Sequence, residues 1–414
     1  MSALILGESL VDDDGPVSVE NEIVGDGPAA RHARALAPVL APVLGVDGAA
    51  IVGRIKLADA PDSAADWARS GGRALTGYAH AGPMGVTGHP APATRGALAW
   101  LTAISGAIGL PGVELLGERA ALTGLERNAP WSCGGAMRLL PCRDGHLAVS
   151  LARPTDADLV PAIVESTGTG DVWAALETWA EHRLAVELAR RCQLLGVPAA
   201  PVTQHPDASR PWLVATRGGT SRPRIKPPVI VDLTALWAGP LCARLLRQCG
   251  GSVTKVESTR RPDGARAGSP AFFEHLNQGS EHVALDFDSS RGRAELAELI
   301  ESADVVLEAS RPRALRHLGI RAEDAVATGT IWLSITARGR GSDWVGFGDD
   351  IAAGAGLLAD ADEALPAGDA LADPLAGVHG AVAVAAALRS DSGWLLDLSM
   401  HDTARLCADE RGTA

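Results

Sequence analysis

From residue 229 onward, short apolar runs alternate with stretches of helical spacing, and this alternation constrains the fold more than any other feature of the chain. Val229-Ile230-Val231-Asp232-Leu233, Ser252 to Glu257, His282 to Phe287, Val305 to Glu308 and Ile331 to Thr336 read as strands. After the first, Ala238-Gly239-Pro240 turns the chain, with Pro240 suited to the first helical position. Leu241, Cys242, Leu245, Leu246 and Cys249 then recur at helical spacing, and Gly250-Gly251 ends the helix. Ser289-Ser290 can cap a helix with the apolar face Leu296, Leu299, Ile300 and Ala303. Strands separated by helices require parallel crossovers. The expected fold is therefore α/β, with a doubly wound, mostly parallel Rossmann-like sheet.

The first half is less regular. Residues 28–52 and 93–108 are rich in small residues and read as helical. Met137 to Leu140 and His146 to Ser150 read as a strand pair joined by Cys142-Arg143-Asp144-Gly145, and 171–195 as two amphipathic helices. This pattern predicts a smaller α+β domain. Residues 204–228, with five prolines around Gly218-Gly219, read as a linker. The expected division is a helical segment at 1–60, the smaller domain with linker helices at 61–225, and the Rossmann-like domain at 226–414. Asp66 to Gly77 and Asp350 to Leu357 form a faint echo, which either a duplication or chance in an alanine-rich chain would produce.

Composition narrows the function classes. A net charge of −13 argues against nucleic-acid or anionic-membrane binding. No apolar run reaches the ~18 residues of a membrane span. The first ten residues lack the basic start of a signal peptide. The six cysteines form no C-x-x-C pair and no histidine stands at finger spacing beside them, so no metal site is expected, and a reduced cytoplasmic protein is. There is no G-x-G-x-x-G and no Walker sequence, which disfavours dinucleotide and nucleoside-triphosphate sites.

Several residue groups could carry chemistry. The turn Leu236-Trp237-Ala238-Gly239-Pro240 follows a strand, where open sheets bind ligands and helix N-termini present free N–H groups. It is equally an ordinary strand-to-helix turn. Arg260-Arg261 with Arg266, and Arg311, Arg313 and Arg316 with His317, could hold phosphates or form a solvated charged face. Asp349, Asp350, Asp369 and Asp373 form an acidic set. Asp373 precedes Pro374 and an apolar helix, and as an N-cap it would satisfy free N–H groups. A helix N-terminus also keeps a carboxylate ionised, as a carboxylate nucleophile requires. Cys133-Gly134-Gly135-Ala136 could let backbone approach a ligand, or could be a plain turn.

Taken together, VIVDLTALWAGPLCARLL (229–246), VTKVES (253–258), FFEHLNQGSEHVALDF (272–287), ADVVLEASRPRALRHLGI (303–320), IWLSITARG (331–339) and LADPLAGVHGAVAVAAAL (371–388) resemble the class III CoA-transferases. That family includes formyl-CoA transferase, carnitine CoA-transferase and α-methylacyl-CoA racemase. NAPWSCGGAMRLLPCRDGHLAVS (128–150) resembles the family's glycine loop and small domain, and RRCQLLGVPAAPV (190–202) that domain's closing segment. The family normally opens with the motif seen here at 229, so this chain looks permuted or partly duplicated.

The resemblance implies a CoA-transferase that moves CoA between an acyl-CoA and a carboxylic acid, with Asp373 as nucleophile. Its carboxylate would attack the thioester to give a mixed anhydride, the CoA thiolate would form an aspartyl thioester, and an acceptor acid would take over the CoA. The resemblance places CoA contacts at Trp237, Ala238, Ser258, Arg260, Leu285, Ala309, Arg311 and His317. It makes Gly134 and Gly135 the oxyanion loop. Coenzyme A is then a co-substrate, with no tightly bound cofactor, and the assembly is a homodimer or an intrachain pseudo-dimer. Asp349 stands where racemase-type members carry a histidine, which disfavours proton abstraction. A racemase or isomerase, or a CoA-binding subunit with little activity, are the alternatives.

Overall fold

The computed structural model describes residues 23–45, 51, 53–57, 63–166, 168, 170–202, 210–220, 227–310 and 312–408. Two sheets organise them. The smaller is antiparallel, in the order β1 (Met137–Cys142), β2 (Gly145–Ser150) and β3 (Ala199–Val202). Helices Pro154–Val164, Val172–Ala180 and Ala185–Leu194 cover it, burying Leu140, Leu147, Val149, Ile163, Leu176 and Leu188 in a core of their own. This is the expected α+β unit.

The larger sheet has seven strands: β4 (Leu213–Thr220), β5 (Val229–Asp232), β6 (Ser252–Ser258), β7 (Glu281–Leu285), β8 (Val305–Glu308), β9 (Ile331–Thr336) and β10 (Ser392–Ser399). Their spatial order is β4-β10-β9-β8-β5-β6-β7. The chain winds outward from β5 to β7, returns to the other side of β5 as β8, and winds outward again to β10. Every pairing among these six is parallel. The strand order reverses between β5 and β8, and in such sheets ligands usually bind beyond the carboxyl ends of the strands at that point. β8 and β9 are buried on both faces, which is why they read as continuous apolar runs.

Three local expectations are corrected. Residues 213–220, read as linker, form β4, which pairs antiparallel with β10. Their glycines permit this because Gly218 and Gly219 lie against the backbone at Val326 and Ala327, where a side chain would collide. The rest of the 204–228 segment lies mostly outside the described residues. Pro240 is third, not first, in the helix Ala238–Gln248, whose N-cap is Trp237. β10 was not anticipated.

The helix Ala372–Arg389 is buried along nearly its whole length. It packs on β9, β10, Ala238–Gln248, and two helices from the first half, Pro28–Leu44 and Pro90–Ser105. Its alanine and glycine content allows these close approaches: a Cβ at Gly377 would press on the Ala238 carbonyl oxygen at 2.7 Å. One hydrophobic core thus takes in Leu36, Trp67, Trp100 and Leu115 from the first half with Leu241, Leu333, Val378 and Leu398 from the second. Among the described residues no helix is long and apolar enough to cross a membrane. All six cysteines are free.

Candidate active site

Asp373 lies in the first turn of Ala372–Arg389, whose N-cap is Leu371. Asp373 and Pro374 therefore sit two residues deeper in the helix than the capping argument expected. The backbone itself starts the helix. Ala370 adopts a left-handed φ of 43° and accepts the Asp373 N–H at 2.9 Å. This frees the Asp373 carboxylate, which is half-buried, to accept from the Gly348 N–H.

Gly348 opens the helix Gly348–Gly354, and a Cβ there would collide with the Asp373 carboxylate and the Ala370 carbonyl. Gly348→Ala is accordingly expected to displace the carboxylate and lower any Asp373-dependent turnover ~100-fold or more. Steady-state kinetics with circular dichroism would check this, and unchanged kinetics would refute the placement.

Three further elements converge on this carboxylate. Asp349 accepts the Ala370 N–H at 2.9 Å and the Ser132 hydroxyl. Asp369, fully buried, receives Arg119 through two bonds, one of them Nε to Oδ2 at 2.9 Å. The Cys133 thiol also bonds Asp369, and a Cβ on Gly134 would lie 3.6 Å from the Arg119 guanidinium. Gly135 follows with φ 74°. The glycine loop therefore reaches the aspartate cluster within one chain.

Charge is unevenly balanced here. Burial pushes the Asp373 carboxyl up to about 7, against the pull of Arg119, with Asp349 and Asp369 adding to the rise. Burial and Asp369 likewise raise Asp349. Asp350 rises to about 7, mainly through burial, although Ser150 donates to it at 2.7 Å. Burial works against the Arg119 charge, but the surrounding carboxylates outweigh it and raise its pKa. Burial also pushes the Cys133 thiol well up, so this thiol stays protonated.

Arg119 connects the cluster to the carboxyl edge of the sheet. Its guanidinium lies 5.2 Å from the ring centroid of Trp237. Trp237 is buried against Phe272, and its indole N–H has no partner among the described residues. Ala238 follows, also buried. The turn before it is pinned from below by Lys255, fully buried on β6. Lys255 donates to the Thr234 carbonyl at 3.0 Å and lies 3.6 Å from Asp232 and 3.2 Å from Asp263. Asp263 in turn accepts the N–H of Leu236, which has a left-handed φ of 68°.

The remaining expected CoA positions spread along the same edge. Ser258 ends β6 and accepts the Arg260 N–H at 3.3 Å. Leu285 ends β7 and is buried; Ala309 follows β8 and is exposed. His317 ends the helix Pro312–His317 and is exposed, while Arg311 lies outside the described residues. Among the described residues, three of the arginines there are paired with carboxylates. Arg260 pairs with Asp288 at 2.8 Å, Arg266 with Glu257 at 2.6 Å and Arg316 with Glu323 at 3.4 Å. Arg119, Ser132 and Lys255 were not anticipated. Lys255 carried a signal, a lysine inside a strand, but Arg119 is one arginine in the short helix Glu118–Thr123.

A cavity of about 430 Å³ lies elsewhere, lined by Ser63, Trp67, Arg73, His89 and Asp360, and Asp373 is not among its lining residues.

Residues 228–411 match the model of CoA-transferase family III. A succinate–glutarate CoA-transferase of Agrobacterium fabrum is 28% identical over 213 residues, 44% of this chain and 53% of that protein. An acyl-CoA transferase of Fusarium pseudograminearum is 30% identical over 202 residues, 42% of this chain and 44% of that one. A solved CAIB/BAIF family protein from Brucella suis is 27% identical, covering 43% of this chain and 53% of its own, with a TM-score of 0.41. The chain thus spans about half the length of the curated relatives it matches.

Proposed function

We propose that this chain transfers CoA from an acyl-CoA to a carboxylic acid, with Asp373 as the nucleophile. The observation that carries this reading is one cluster in which Asp373 accepts the Gly348 N–H beside Asp349 and Asp369, which Ser132, Cys133 and Arg119 hold, Arg119 also reaching Trp237. The CoA-transferase names borne by the relatives of residues 228–411 support it.

The ionised Asp373 attacks the thioester carbonyl, forming an acyl-aspartyl anhydride and releasing CoA thiolate. The thiolate then attacks the aspartyl carbonyl, giving an aspartyl–CoA thioester and the first acid. The acceptor carboxylate displaces the thiolate, forming a second anhydride. Thiolate attack on its acceptor carbonyl yields the new acyl-CoA and restores Asp373. Each step develops an oxyanion, and N–H groups at Gly134, Gly135 and Gly348 are the donors at hand. The unpartnered Trp237 N–H, beside the turn at the β5 carboxyl end, suits a polar group of the CoA arm. Other supports for CoA along that edge are Ala238, Ser258, Arg260, Leu285, Ala309 and His317.

Incubation with a panel of acyl-CoAs, followed by hydroxylamine and peptide mass spectrometry, is the test. The expected product is a hydroxamate on Asp373. Transfer that proceeds with no modified aspartate would overturn the assignment.

A further inference from the structure

We propose that His32, His379 and Cys407 form a buried site for one zinc(II)-like ion, tying the first-half helix Pro28–Leu44 to Ala372–Arg389 and Met400–Ala408. The ligand atoms of the three side chains all lie within 4.8 Å of one another, and all three residues are buried. They come from three separate helices, so only the tertiary packing brings them together. Two imidazole nitrogens and a thiolate are a borderline-soft donor set, suited to zinc.

The ring orientations fit ligation. His379 Nδ1 lies 2.7 Å from the Leu375 carbonyl oxygen, so that nitrogen carries the hydrogen and Nε2 presents a lone pair. A backbone carbonyl holding Nδ1–H is the usual support behind a metal-bound histidine. His32 Nε2 faces His379 Nε2 at 2.8 Å. In a tetrahedral zinc site such nitrogens sit about 3.3 Å apart, so opening by about half an ångström admits the ion. Without an ion, the two nitrogens share one hydrogen donated by His32. Trp212 packs edge-on against His379 at 5.5 Å, and its buried N–H has no partner among the described residues. That is a second sign of a polar occupant in this part of the core.

Binding releases one proton, from the Cys407 thiol, to solvent. His32 keeps its proton by moving it from Nε2 to Nδ1. Zinc(II) with one thiolate leaves a single positive charge, and water can fill the fourth position. None of its three ligands belongs to the Asp373 cluster, so it stands or falls independently of the transfer reading.

The test incubates the purified full chain with zinc(II), dialyses it and measures metal by plasma mass spectrometry. About one zinc per chain is expected, falling at least ~10-fold in Cys407→Ser and in His32→Gln. Cobalt(II) loaded in place of zinc should give a near-ultraviolet thiolate-to-metal absorption in the unaltered protein, absent in Cys407→Ser. Circular dichroism confirms that each protein is folded. The proposal is overturned if the folded, unaltered chain retains less than about a tenth of an equivalent. Equal zinc retention in both variants would also overturn it.

Discussion

Asp373→Asn is expected to lower CoA transfer by about 10³-fold or more and, at pH 8, to raise the stability of the fold by about 1–3 kcal/mol. The two effects share one cause. Asparagine keeps the shape and an oxygen for the Gly348 N–H, but it cannot form the anhydride. It also removes a charge that burial disfavours. In the folded chain the Asp373 carboxyl titrates at about 7, well above an ordinary carboxylate.

The folded state therefore holds this proton more tightly than the unfolded chain. Ionisation costs folding free energy as pH rises from about 4 to about 7, after which the cost is constant. The Asn variant escapes the cost, so its stability advantage should vanish near pH 4 and be complete above pH 7. Asp350, also raised to about 7, contributes alike to both proteins and cancels. Urea titrations at pH 4, 6 and 8 measure this. A gap that is constant with pH, or reversed, would refute the placement of the charge. Transfer by the unaltered protein should rise with pH and level off above about 7, since only the ionised carboxylate attacks.

Lys255→Met should destabilise the fold by about 3–5 kcal/mol, because it leaves Asp232 and Asp263 buried without their cation. Burial opposes the Lys255 charge, but these two carboxylates outweigh it and raise its pKa, so the ammonium persists across the physiological range. Adding Asp232→Asn and Asp263→Asn to Lys255→Met should restore much of the loss, since no unpaired charge then remains. Denaturant midpoints compare the variants. A single substitution costing under about 1 kcal/mol would mean that the ion cluster holds nothing in place. Failure to recover in the triple variant would shift the weight to the Thr234 hydrogen bond.

The parallel sheet was legible because its central strands β5, β8 and β9 each open on consecutive apolar residues, a pattern that survives without knowing the partner. Ser289 announced its helix correctly, and its hydroxyl accepts the Gly292 N–H at 2.9 Å. Asp373 was marked by its place in LADPLAG. Its exact turn was not, because the left-handed Ala370 that starts the helix leaves no trace in residue type. β4 was hidden by glycines and arginines that suit a linker, and only the neighbouring Val326–Ala327 backbone explains them. Arg119 was illegible for a different reason. Its meaning depends on Asp369, 250 residues away in sequence. The His32, His379 and Cys407 cluster is the same kind of case, since spacing rules for metal ligands address local motifs alone.

β4 precedes β5 in the chain yet closes the far side of the sheet, against β10. The stretch that matches the family is therefore not a severable module. Excised at residue 228, it would leave the backbone row of Ser392–Ser399 open to any passing strand, and would uncover the flanks of Ala372–Arg389 that Pro28–Leu44 and Pro90–Ser105 now shield. The first half thus covers, from within the same chain, faces of the second half that would otherwise lie open to water.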